Sequence, residues 1–161
     1  EQSHMHTFSD KNGKKWTIEV NLGTARRVLS GCGVDLLHLI DINEEKSDMS
    51  GLDRIASDPF LLFQVIYILC ERQVNQSGIG EDEFAELFDS DSIQAATDAL
   101  VQEVINFSHP AKRKMLTVVY SKMVALREEQ TRHLEEILGS EEFDREVSEK
   151  LSDFATSSQE S

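Results

Sequence analysis

Only two cysteines, Cys32 and Cys70, occur in the 161 residues, 38 positions apart and in no Cys-x-x-Cys pair. That spacing signals neither a disulfide framework nor a zinc site, so both side chains read as reduced thiols. Long apolar runs are missing as well. The longest, Phe60 to Cys70, is broken by Gln64 and covers 11 residues, short of the roughly 20 that cross a bilayer. No transmembrane segment is expected. The first residues carry no charged, apolar and small-residue succession of a signal peptide, and Glu1-Gln2-Ser3-His4 reads as an expression-tag remnant ahead of a native start at Met5. Basic residues are scarce: 16 Lys and Arg stand against 30 Asp and Glu, a formal net charge of −14. Such a surface repels phosphate backbones and anionic lipid, which argues against nucleic acid and membrane as partners and favours basic protein surfaces.

Catalytic motifs are equally sparse. There is no nucleophile elbow, phosphate loop, dinucleotide fingerprint or zinc-protease helix. Asp89-Ser90-Asp91-Ser92 begins like a calcium loop, but Gln94 stands where the sharp turn needs Gly and Leu100 where the ion needs Glu. His38, His109 and His133 lack a second His or Cys at ligand spacing. No metal and no cofactor is expected. One enzymatic alternative stays open, a thiol hydrolase pairing Cys32 with His38, although an incidental or buried cysteine is the expected reading of Gly31-Cys32-Gly33.

What is present suffices for a core: 39% of the residues are hydrophobic and 29% charged, too apolar a mixture for a wholly disordered chain. Asn12-Gly13 between His6–Ser9 and Lys15–Val20 predicts a β-hairpin, since both turn residues tolerate positive φ. In its second strand Trp16, Ile18 and Val20 alternate with polar residues, so one face needs cover. A short helix over Thr24–Leu29 is expected to stop at the following glycines; Val34–Ile40 is an apolar element of helix or strand, and Asp41–Gly51 a polar loop. Asp58-Pro59 marks a helix start running to about Asn75, apolar on nearly every side. An acidic helix over Glu81–Phe88 follows, then one starting at Ser90 or Asp91 with Ile93, Ala96, Leu100, Val101, Val104 and Phe107 at helical spacing. Pro110 precedes a long helix, Lys112–Leu138, whose heptad seam of Leu116, Val119, Met123 and Leu126 falters at Gln130 and His133. Residues 141–153, with Phe143, Val147 and Leu151 in register, read as an amphipathic helix and the rest of the tail as disordered.

The fold class is therefore mainly α, with a small N-terminal β-hairpin packed on a helical bundle and a long C-terminal helix. One domain is expected over residues 5–138, and an acidic tail, partly helical or disordered, over 139–161. Charge is uneven along the chain. Between Arg72 and Lys112 there is no Lys or Arg, while Glu81, Asp82, Glu83, Glu86, Asp89, Asp91, Asp98 and Glu103 form an acidic run. It reads as a solvated face, or as an attractor for a basic partner.

The succession "FSDKNGKKWTIEV", "GVDLLHL", "DPFLLFQVIYILC", "EDEFAELF" and "ALVQEVINF" ahead of a long charged helix resembles the tail assembly chaperone proteins of long-tailed bacteriophages and prophages, over Met5 to Phe107. The resemblance implies a small non-catalytic binding protein of the bacterial cytoplasm that holds tape measure or tail tube subunits during tail assembly. A hydrophobic groove for such a client would draw on Phe84, Leu87, Phe88, Val119, Met123 and Leu126, residues for which a place in the core is the competing reading. The alternative is an unrelated helical adaptor, or a homo-oligomer joined through residues 112–138. A DNA mimic resting on Glu81–Glu103 is a further one.

Overall fold

A computed structural model describes residues 5–40 and 51–158. The expected tag remnant at 1–4, the polar loop up to residue 50 and the tail residues 159–161 lie outside the described residues. The protein is mainly α-helical with one small antiparallel hairpin near its amino terminus, and it divides into two compact units, Glu1–Leu116 and Thr117–Ser161.

Strands β1 (His6–Ser9) and β2 (Lys15–Ile18) pair with Phe8 opposite Trp16 and His6 opposite Ile18. The turn Asp10–Lys14 falls where expected, but of Asn12 and Gly13 only Gly13 has a positive φ, at 83°, because Asp10 organises the loop. The Asp10 carboxylate accepts from the Asn12 and Lys14 amides at 2.9 and 3.0 Å and from the Trp16 indole N–H at 2.9 Å. β2 also stops at Ile18 and not at Val20, whose N–H donates to the Glu103 carboxylate at 3.2 Å.

Helix α1 (Leu22–Cys32) opens on a capping box in which Asn21 and Thr24 exchange side-chain and backbone hydrogen bonds. It runs through Ser30 and Gly31 and ends at Gly33, φ 69°, later than the glycines suggested. Gly31 is a packing residue, since a Cβ there would stand 2.9 Å from Ile68 Cδ1. The apolar element after it is a 3-10 turn, Leu36–His38, capped by the Asp35 side chain. Helix α2 (Gly51–Ser57), which has no counterpart in the sequence reading, buries Leu52 and Ile55.

Helix α3 (Pro59–Gln76) starts as expected, with Asp58 accepting from the Phe60 and Leu61 amides. Around it pack α1, α2, β2 and the two helices that follow, α4 (Glu81–Ala85) and α5 (Ser90–Phe107), while β1 lies along α5. α3 is enclosed along Leu62, Val65, Ile66, Leu69, Cys70 and Val74 but not all round, for Phe60 is 82% exposed. α4 falls short of Phe88 because the chain tightens into a turn at Glu86 and Leu87, and the Leu87 carbonyl is taken by the Lys11 N–H at 3.0 Å. α5 is capped by Asp89 and buries Ala96, Ala99, Leu100, Val101, Val104 and Ile105.

Helix α6 (Pro110–Leu138) begins in the first unit, where Leu116 is buried, and continues in the second. Helix α7 (Glu141–Ser157) is capped by the Ser140 hydroxyl, which accepts from the Phe143 N–H. The tail expected to be disordered after residue 153 is helical to Ser157, since the apolar spacing extends to Phe154. None of the α7 residues is buried.

Candidate partner-binding surface

In the first unit the proposed residues meet an aromatic cluster. α4 delivers Phe84 into its centre, 4.8 Å from the Trp16 ring and 5.1 Å from Phe88, both edge-on, with Phe63 at 5.8 Å. Such pairs add about 1 kcal/mol each to simple burial. Phe84 is 0% exposed and is a core residue with no surface to offer, a correction to its place among the partner-binding candidates. Leu87 and Phe88 are half-buried at the rim, Phe88 between Phe8 at 5.6 Å and Phe63 at 5.7 Å. Phe60, Phe63 and Tyr67, spaced three and four apart, share one side of α3 as an aromatic strip that is partly open to solvent. That spacing is legible in the sequence, but the apolar residues on nearly every side of the helix mask it.

In the second unit Val119 is half-buried, whereas Met123 and Leu126 are exposed, Leu126 by 58%. The same side of α6 carries Leu134 and Ile137, also exposed, with Gln130 and His133 between Leu126 and Leu134. α7 presents a second strip, in which Val147, Leu151 and Phe154 follow Phe143 at intervals of four, four and three; Phe154 is 74% exposed. Phe84, Leu87 and Phe88 thus belong to one unit and Val119, Met123 and Leu126 to the other.

The acidic run is less uniform than its sequence. Glu103 is only 6% exposed and clips the hairpin to α5: one carboxylate oxygen accepts from the His6 N–H at 3.1 Å and lies 2.7 Å from His6 Nδ1, and the other accepts from Val20. Asp89, through the Ser92 amide and hydroxyl that donate to it, is held below the ordinary carboxylate range as the cap of α5. Glu81, Asp82, Glu83, Glu86 and Asp91 remain on the surface.

Burial pushes the Cys32 thiol up and the Cys70 thiol to about 12, opposite to the activation a nucleophile needs. His38 directs Nδ1 to Asp35 at 2.8 Å, a bond that lowers the Asp35 carboxyl. Among the described residues no group of three or more His, Cys, Asp or Glu is placed to hold a metal ion. No described helix is long and apolar enough to cross a membrane. Comparison with known proteins returns no matching family model, curated protein or solved structure.

Proposed function

We propose that this chain is a non-catalytic binding protein, resembling a phage tail assembly chaperone, that shields tape measure or tail tube subunits during tail assembly. The observation that carries the reading is the pair of apolar strips on α6 and α7 whose large side chains stand open to solvent. Helices of this length draw most of their stability from packing an apolar face, so strips left bare in the free chain are suited to a helical client. The acidic surface keeps the protein in solution while it waits.

The test is co-expression with a tape measure or tail tube subunit encoded beside this gene. The unaltered chain should keep the client soluble, and the Met123→Glu, Leu126→Glu, Leu151→Glu variant should lose that effect while retaining its helical spectrum. Equal solubility with both chains, or a neighbourhood without tail genes, would count against the reading.

Charge favours a second reading, self-association. α6 carries six Lys or Arg against four Glu, and α7 six Asp or Glu against two basic residues, so α7 of one copy complements α6 of another. Sedimentation over a dilution series separates the two, since a dimer formed this way dissociates on dilution and disappears in the Met123→Glu, Leu126→Glu variant. Leu116 is unsuitable for that test because it is buried.

A further inference from the structure

A cleft of about 1250 Å3 opens beside β2, α1 and α3 in the first unit, and its walls include Arg26 and Arg27 from α1 and Arg72 from α3. Arg27 and Arg72 also line an adjoining recess. For a chain with 16 basic residues against 30 acidic ones, three arginines in one hollow is a local reversal of sign. Among the described residues no carboxylate lies within ion-pair distance of any of the three. The acids in the walls are Glu19, which accepts from the Asn21 side-chain amide at 3.4 Å, and Glu71 of the recess. Three arginines against Glu19 in the cleft wall leave an excess of positive charge, and an anion entering from outside reduces its self-repulsion.

We propose that this cleft binds a carboxylate-rich peptide segment of a partner protein, with Arg26, Arg27 and Arg72 gripping its acidic side chains. The guanidinium fork matches a carboxylate with two parallel hydrogen bonds, which a lysine cannot do. The walls are held firm. α1 is capped at both ends and approaches α3 closely at Gly31, and the Gln73 side chain is fixed by bonds from the Thr17 N–H at 3.0 Å and to the Thr17 carbonyl at 2.7 Å. The volume exceeds the roughly 300 to 1,000 Å3 of a small-molecule pocket, so it suits several residues of extended chain better than one small anion. The cleft is built from residues of the first unit and the strips belong to the second, and its test does not depend on what the strips bind.

The experiment is fluorescence anisotropy of a labelled oligoglutamate peptide with the full chain at physiological ionic strength, where charges beyond about 8 Å are largely screened. The unaltered chain should bind, and the pair Arg27→Glu, Arg72→Glu should weaken binding at least about tenfold. The pair Lys112→Glu, Lys114→Glu changes the net charge equally outside the cleft and should alter affinity by less than about twofold. Both arginines are exposed, so the fold should survive; the neutral pair Arg27→Gln, Arg72→Gln serves if reversal unfolds the chain, and should weaken binding in the same direction. Absence of binding, equal loss in the arginine and lysine pairs, or displacement of the peptide by an equal concentration of inorganic phosphate would overturn the proposal.

Discussion

Asp10 shows how much one side chain can organise. It is 5% exposed, and burial alone would raise its pKa, but the Trp16 indole and the Lys14 and Asn12 amides prevail and hold the carboxyl below its ordinary 3.8. A lowered carboxylate contributes stability that is complete above the unfolded value and is lost as pH falls through the folded one. Acid unfolding should therefore set in below about pH 4, and Asp10→Ala should cost about 2 to 3 kcal/mol at pH 7, read from urea midpoints, by orphaning three donors. Asn12-Gly13 announced the turn; nothing local announced that an aspartate would receive an indole six residues away. The cysteines offer a second measurement. With Cys70 raised to about 12 and its Sγ 3.7 Å from the Thr17 carbonyl, a thiol reagent at pH 8 should modify Cys32 first and reach Cys70 only on unfolding. Equal rates would contradict the burial argument.

Elements are most legible where their signals are local and least where a neighbour decides. Asp58-Pro59 and Asp89 start α3 and α5 through their own carboxylates. Gly31, in contrast, has the sequence signature of a stop and is a contact, because the helix that approaches it lies 37 positions further on, at Ile68. α4 ends early for a similar reason, the Leu87 carbonyl being claimed by Lys11. Glu103 hid in a run of solvated acids, although it fastens residues 97 and 83 positions away. Its replacement by Ala should cost about 2 to 3 kcal/mol in thermal or urea unfolding and free the hairpin's amides to exchange faster; an unchanged midpoint would show that water replaces the clip without loss. The two apolar groups should part company under mutation. Phe84→Ala should cost about 3 to 5 kcal/mol, whereas Leu151→Ser and Phe154→Ser should stay within about 0.5 kcal/mol in the free chain.

At the scale of the whole molecule, the mainly α architecture with its hairpin follows from pattern alone, and the exposure of the candidate residues only in part. Met123 and Leu126 lie open where the seam placed them, while Phe84 is drawn inward by four aromatic neighbours that come from three separate stretches of chain. Burial is decided by those long-range meetings, which a periodicity cannot report. The division into a packed unit and a second unit whose helices expose their strips underlies the central proposal, that a client is recognised by α6 and α7. Hydrogen–deuterium exchange of the full chain, alone and with a tape measure or tail tube subunit, tests it most directly. The expected result is slowed exchange in α6 beyond Thr117 and throughout α7, with the first unit unchanged; slowing confined to the first unit, or none anywhere, would contradict it.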